Sequence, residues 1–462
     1  MAEDNNKKQT SLRGGTKQSA SLEHTTDRLP HSVRNDEHET SLRGTKQSAQ
    51  SNTLPLLPIL RFKEFDGEWN SNLLGKFSSK IGSGSTPTGG NQVYQDSGIP
   101  FIRSQNVFDD KLFLDGTHIS KILHLKMKGS TVKPNDILLN ITGGSIGRSC
   151  VVPKDFYEGN VNQHVCIIRL KDNFNANFIQ SFLSSHKGQK LIYEGQTGSG
   201  REGINFQSIR LFKINIPSLP EQHKIASFLS AVDEKIQQLS KKKALLEQYK
   251  KGVMQQLFSG KLRFKDENGE DFPDWEEKQL IDVAKRVVRK NKENNLNVLT
   301  ISAQLGLISQ LEYFNKSVSA KNVTKYYLLH KDEFAYNKSY SSGYPMGAIK
   351  RLKRYDKGVV STLYICFEFN DKVSLDFMEQ YFEFGKQNIE LEKVAQEGAR
   401  NHGLLNIGVN DFLNIDLKLP SLSEQQKIAN YLSAIDTKIE TVNRQIEKTQ
   451  SFKKGLLQQM FV

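Results

Sequence analysis

The sequence predicts an α/β (α+β) protein. Two globular domains are separated by two long antiparallel coiled-coil helices, and a pseudo-two-fold internal repeat relates the halves. Three observations carry this prediction. One long stretch occurs twice, its apolar residues follow a seam spaced by four and three, and the intervening segments are short apolar runs broken by polar glycine loops.

The long repeat is the firmest of these. Pro217-Ser218-Leu219-Pro220-Glu221-Gln222-His223-Lys224-Ile225-Ala226 returns as Pro420-Ser421-Leu422-Ser423-Glu424-Gln425-Gln426-Lys427-Ile428-Ala429. The match runs on through Leu229-Ser230-Ala231-Val232-Asp233 and Leu432-Ser433-Ala434-Ile435-Asp436. It closes with Lys250-Lys251-Gly252 and Gln255-Gln256-Leu257-Phe258 against Lys453-Lys454-Gly455 and Gln458-Gln459-Met460-Phe461. Roughly half the positions are identical without a gap, which chance does not produce.

Both copies read as helices. Ser218 to Glu221 and Ser421 to Glu424 have capping-box spacing, in which the serine accepts from the N3 amide and the glutamate reaches back. Behind them, Ile428, Leu432, Ile435, Ile439, Val442 and Ile446 form an a/d seam. Ile225, Leu229, Val232, Ile236 and Leu239 form its counterpart, until Lys243 interrupts and Leu246 resumes. Such a helix makes a rod of about 55–60 Å. Alone it would be marginal in water, so the two copies are expected to pair, antiparallel if a pseudo-two-fold axis relates the halves.

A shorter repeat opens each half. Leu60-Arg61-Phe62-Lys63 precedes Trp69, and Leu262-Arg263-Phe264-Lys265 precedes Trp275. The chain therefore divides into a leader (1–53), a globular domain (54–216), a central helix (217–259), a second globular domain (260–418) and a C-terminal helix (419–462). The leader is polar and contains its own duplication, from Thr10 to Ala20 and again from Thr40 to Ala49. It cannot bury enough apolar surface to offset chain entropy, and is expected to be a disordered extension. A translated repeat element or an upstream mis-start would account for it, and a functional basic arm is the alternative.

The globular segments read as α/β with short strands. Asp136-Ile137-Leu138-Leu139-Asn140-Ile141 stops at Thr142-Gly143-Gly144-Ser145-Ile146-Gly147, and Val165 to Leu170 reads as a buried strand. In the second half, Glu333 to Asn337 runs into Lys338 to Pro345, and Leu363 to Phe367 is the corresponding strand. Glycine-containing loops, Gly195 to Arg201 and Glu397 to Gly403, precede the long helices. The helices repeat closely while the globular segments barely do. A constant scaffold with differing payload implies two similar modules that read different things.

Composition narrows the function. The 462 residues carry a formal charge of +13 and a pI near 9.3, which suggests a polyanionic partner, most often nucleic acid. Cys150, Cys166 and Cys366 fit neither a zinc site nor a disulfide framework, and read as small buried residues of a reduced cytoplasmic protein. The apolar stretch Leu54 to Leu60 is short and carries two prolines, so it cannot span a bilayer. A GxxxxGK[ST] loop, an (N/D/S)-P-P-(Y/F/W) catalytic loop, a methyl-donor glycine loop, a metal-ligand array and a nucleophile–histidine pairing are all missing. Pro273-Asp274-Trp275-Glu276-Glu277-Lys278 only superficially resembles nuclease letters. No catalytic residue, cofactor site or metal site is assigned to this chain.

The doubled Pro-Ser-Leu-x-Glu-Gln-x-Lys-Ile-Ala start, its Asp-x-Lys-Ile continuation and its Lys-Lys-Gly-x-x-Gln-Gln-x-Phe ending resemble the specificity subunits of type I restriction-modification systems. The Leu-Arg-Phe openings with their tryptophans do so too. The resemblance covers residues from about 54 to 462, and the leader departs from it. It implies that each globular domain is a target recognition domain reading half of a bipartite, asymmetric DNA site. The helices would set the unspecified spacer and dock two methyltransferase (modification) subunits that methylate adenine. Two restriction (translocase/nuclease) subunits would complete the complex. S-adenosylmethionine, ATP and magnesium would then belong to the partner subunits. Modules reading one face of B-DNA should sit about 34–36 Å apart, a separation that the rod can hold.

Base reading needs donors and acceptors on loops, and phosphate positioning needs cations and hydroxyls. The candidates in the first module are Arg103, Ser104, Gln105, Asn106, Ser145, Arg148 and Arg201. In the second they are Lys338, Tyr340, Ser341, Ser342, Tyr344, Lys350, Arg351, Arg400, Asn401 and His402. Lys241-Lys242-Lys243 reads as a solvated helix face. Two other functions stay open: a coiled-coil adaptor that does not bind DNA, and a self-contained DNA enzyme. The first would show little DNA affinity, and the second would bind methyl donor or cleave with metal.

Overall fold

The structure is a computed structural model that describes residues 57–108, 110–196, 203–302, 305–314, 322–341, 343–395 and 405–462. The first module opens on strand β1 (Asn70–Leu73) and continues through β2 (Ser78–Ser83), β3 (Ile99–Ile102), β4 (Ile137–Asn140), β5 (Ser149–Val151), β6 (Gly159–Val161) and β7 (Val165–Leu170). Helix α1 (Ala176–Ser184) follows, and β8 (Lys213–Ile216) pairs antiparallel with β1, closing the module where it began. The long helix α2 (Leu219–Phe258) starts three residues later.

The second module repeats the plan. It opens on β9 (Glu276–Gln279), runs through β10 (Ala284–Val287), β11 (Phe334–Asn337), β12 (Ala348–Arg351), β13 (Ile365–Phe369) and helix α3 (Leu375–Phe384), and closes on β14 (Asp416–Leu419), antiparallel to β9. Helix α4 (Leu422–Gln459) completes the chain. The central sheets have the orders β5-β4-β7-β2 and β12-β11-β13-β10, the same topology twice.

The repeated helix starts owe their form to side chains that the capping-box spacing did not predict. Ser421 accepts from the Glu424 amide, but Ser218 makes no side-chain cap. Each glutamate turns away from its N-cap and is buried against the arginine of the Leu-Arg-Phe opening. Arg61 donates to both Glu221 oxygens at 2.7 and 2.8 Å, and Arg263 to Glu424 at 3.1 and 2.8 Å. A bidentate, charge-assisted pair outcompetes a single backbone amide. Trp69 also donates to Glu221, at 3.3 Å. The neighbouring glutamines have a duty of their own. Gln222 and Gln425 accept from the amides of Asn175 and Ser374, the residues that cap α1 and α3.

The long helices pair antiparallel. Lys453 reaches Asp233 at 2.7 Å, Lys250 reaches Asp436 at 2.7 Å, and Lys243 donates to Asn443 at 2.8 Å. The seam is more divided than an a/d stripe implies. Ile225, Leu229 and Val232 pack into the first module's core, and Ile428, Leu432 and Ile435 into the second's. Ile236 and Ile439 lie half-buried beside those cores. Leu239 and Val442 are buried near mid-helix, where Ile446 is half-buried.

Each core is finished by the far end of the other half's helix. Leu456, Met460 and Phe461 enter the first module, while Val253, Met254, Leu257 and Phe258 enter the second. The Phe461 ring meets Phe178 at 5.4 Å and Phe182 at 5.9 Å, and Phe258 meets Phe377, Tyr381 and Phe384. The modules thus sit at opposite ends of the helix pair. Trp69 packs on Phe178 and Trp275 on Phe377. All three cysteines are buried and unbridged, and burial pushes each thiol up to about 12.

Candidate nucleic-acid interface

Strand direction gathers the polar loops of each module at one sheet end. In the first module, Ser83 of β2 lies opposite Cys166, and Asn140 of β4 opposite Val165. The chain leaving β2, the chain leaving β4 and the chain entering β7 therefore emerge together. The turn after β3 joins them, because β3 runs parallel to β6 with Ile102 beside Val161. The chain after the glycine loop is at the same end, where the Ile204 amide donates to Ile141 at 3.0 Å and Thr142 bridges to Gly203. The second module does likewise. Tyr336 of β11 lies opposite Ile365 of β13, and the Leu405 amide donates to Lys338 at 2.9 Å. In each module the chain following the glycine loop thus meets a candidate loop distant in sequence.

Within the first cluster, Asn140 is fully buried and its Nδ2 donates to the Ser104 carbonyl at 2.8 Å and to Ser145 Oγ at 3.2 Å. One side chain thereby ties turn 104–106 to turn 143–145. Arg148 is exposed, with its guanidinium 4.8 Å from the Phe108 ring centre. Arg103 donates to Asp115 at 2.7 Å and to Thr117 at 2.8 Å, and Gln105 donates to Asp115 at 2.6 Å. Burial works against ionisation of Asp115, but hydrogen bonds from Thr117, Gln105 and Arg103 outweigh it and hold the carboxyl far below the usual range.

Asn106 requires correction. It is buried, its Oδ1 accepts from the Arg103 amide at 2.8 Å, and its Nδ2 donates to the Phe113 carbonyl at 2.7 Å. Its amide holds the turn and does not face outward.

In the second cluster Tyr340 is 67% exposed, Ser341 is exposed, and Lys338 donates to the Ile407 carbonyl at 3.1 Å. Lys350 and Arg351 are not the free loop cations expected of them. They lie on β12, beneath the acidic side of α3. Lys350 pairs with Glu383 and donates to the Tyr344 hydroxyl at 2.9 Å, and Tyr344 donates to Glu383 at 2.6 Å. Arg351 reaches Asp332 at 2.6 Å and Asp376 at 2.7 Å. Asp376, Glu379 and Glu383 recur at helical spacing on α3, so the strand cations are neutralised in place. Arg201, Ser342, Arg400, Asn401 and His402 lie outside the described residues.

Sequence reasoning missed three members of the first cluster: Thr86, Gln163 and His164. Thr86 hydrogen-bonds Gln163, Gln163 meets His164 at 3.0 Å, and His164 meets Thr142 at 2.7 Å. The available signal was the polar run Asn162-Gln163-His164 immediately ahead of the apolar run Val165 to Ile168. The arrangement offers donors, acceptors and cations on fixed loops, which is the equipment for reading base edges and holding phosphates. Charge agrees with it. Residues 1–56 carry eight Lys/Arg and seven Asp/Glu, so nearly all of the +13 resides in the modules and helices.

The sequence profile of the type I restriction modification DNA specificity domain matches twice, over residues 68–248 and 273–450. Each match joins one module to the long helix after it. Over 132 residues the chain is 31% identical to the type I restriction enzyme EcoBI specificity subunit of Escherichia coli, covering 28% of this chain and 27% of that one. Over 372 residues it is 23% identical to the MjaVIII specificity subunit of Methanocaldococcus jannaschii, covering 73% and 81%. The crystal structure of a type I restriction-modification S subunit from M. genitalium matches with a TM-score of 0.53 at 15% identity, covering 88% of this chain and 99% of that one. A chain from a structural study of type I complex assembly and conformational transition matches with a TM-score of 0.50 at 13% identity, covering 84% and 96%. At these identities the structural matches bear on the fold.

Proposed function

This chain belongs to the type I restriction-modification DNA specificity family, and we propose that it selects the DNA site at which a methyltransferase and a restriction enzyme act. Each module reads one half of a bipartite site in double-stranded DNA. The helix pair fixes the spacing between halves and docks two modification subunits, which methylate an adenine in each half, and two restriction subunits join them. S-adenosylmethionine, ATP and magnesium act in those partners, and the chain works in the cytoplasm as a non-catalytic reader. The observation that carries this reading is the loop cluster gathered at one sheet end, twice, in modules at opposite ends of an antiparallel helix pair.

Two further features support it. The clusters share a position but not a sequence, so the half-sites should differ. The helices span about 60 Å, enough to hold two readers about one turn of B-DNA apart. The test is to co-express the chain with its modification subunit and map methylated adenines across the host genome by single-molecule sequencing. A bipartite, asymmetric motif with a fixed gap is expected. A chain that binds its partner while no methylated motif depends on it would be an adaptor instead.

A further inference from the structure

We propose that Gln163 is a base-reading side chain of the first module, directed at the adenine of one A·T pair through its amide. This rests on the specificity-subunit reading above and goes beyond it by naming one residue and one base.

The backbone around Gln163 is held from every side. The Asn162 amide donates to the Ile102 carbonyl at 3.0 Å, and the Gly84 amide donates to the Asn162 carbonyl at 3.1 Å. The Ile141 amide donates to the His164 carbonyl at 3.0 Å, and the His164 amide donates to Asn162 Oδ1 at 3.0 Å. Val161 and Asn162 are buried. At Gly84 a Cβ would lie 1.8 Å from the Val161 carbonyl oxygen, so only glycine lets the chain leaving β2 approach this closely. That approach brings Thr86 against Gln163. On this rigid base the Gln163 side chain is exposed.

The side chain is oriented as well as exposed. The Thr86 hydroxyl donates to Gln163 Oε1, Gln163 Nε2 faces His164 Nε2 at 3.0 Å, and His164 Nδ1 faces Thr142 Oγ1 at 2.7 Å. With Gln163 donating, the imidazole carries its proton on Nδ1 and passes it toward Thr142. A primary amide has two N–H donors and an oxygen with two lone pairs. One donor and one lone pair are used here, in either orientation of the amide, so one of each remains. An adjacent donor and acceptor on a planar amide match the N7 acceptor and N6 donor of adenine in the major groove. The chain of hydrogen bonds fixes the amide before DNA arrives, which is what precise reading requires.

The test maps methylation with the full chain co-expressed with its modification subunit, comparing the parent, Gln163→Ala, Gln163→Glu and Thr86→Val. The expected result for Gln163→Ala is loss of base preference at one A·T position in one half-site, with discrimination falling about tenfold. The gap and the other half-site stay unchanged. Thr86→Val should weaken preference at that same position. An unchanged motif in Gln163→Ala, or relaxation confined to a G·C position, overturns the proposal. If Gln163→Ala abolishes methylation, Gln163→Glu decides. A shift toward cytosine at that A·T position supports the proposal, since a carboxylate accepts from cytosine N4, and a parental motif or none overturns it. A parent chain that directs no bipartite motif sinks the underlying functional reading instead.

Discussion

Lys453 shows how single residues of the repeated helix motif serve assembly. It is largely buried between Asp110 of the first module and Asp233 of α2, at 2.7 Å from each. Its repeat mate Lys250 meets Asp436, which also accepts from Gln380 at 2.9 Å, much as Asp110 accepts from Gln180 at 2.7 Å. The aspartate of one Asp-x-Lys-Ile motif therefore holds the first lysine of the other copy's Lys-Lys-Gly motif, in both directions. Burial opposes charge on Asp110 and Lys453, but their mutual attraction and hydrogen bonds win, lowering the carboxyl and raising the amine. Replacing Lys453 by Met should cost about 1–3 kcal/mol, less than a fully buried pair because both carboxylates keep some solvent. The sign with pH follows. A depressed carboxyl contributes above its unfolded value of about 3.9 and is lost as acid titrates it in the folded state. A raised lysine contributes below about 10.4 and is lost above its folded value. Urea unfolding should show the parent-to-variant difference full near neutrality and shrinking toward both extremes. A difference independent of pH contradicts the assignment.

The elements divide into those legible from sequence and those that were not. Helices α2 and α4 were legible because their apolar spacing must persist for any pairing to occur. Their caps and their last turns were not. The capping-box glutamates carry the right spacing, yet Arg61 and Arg263, distant in sequence, claim them. The Gln-Gln-x-Phe endings gave no hint that each enters the other half's core, because heptad reading stops at the partner helix. Truncating Phe461 to Ala should therefore loosen the first module and not the second, at about 3–5 kcal/mol as for other buried aromatics. The two tryptophans, one per module, allow the check. With Trp275→Phe the Trp69 fluorescence transition should move to lower urea, and with Trp69→Phe the Trp275 transition should hold. A shift confined to Trp275 would mean that α4 does not close the first module.

Across the whole molecule, topology repeats where sequence does not. Sheets β5-β4-β7-β2 and β12-β11-β13-β10 share an order, although their loops share almost no residues. Strand pairing tolerates any apolar alternation, whereas the helices must match one another and both modules at once, so their sequences stay alike. That is why two differing payloads on one scaffold could be read from the chain. Individual contact residues could not: polarity in sequence does not reveal that Asn106 braces a turn, or that α3 neutralises Lys350 and Arg351. On the proposed function, each module reads its own half-site independently. The most direct test replaces residues 262–417 with the equivalent module of a related specificity subunit and maps adenine methylation with the same modification partner. One half of the motif should change, with the other half and the gap retained. A change in both halves, or in neither, would contradict the claim.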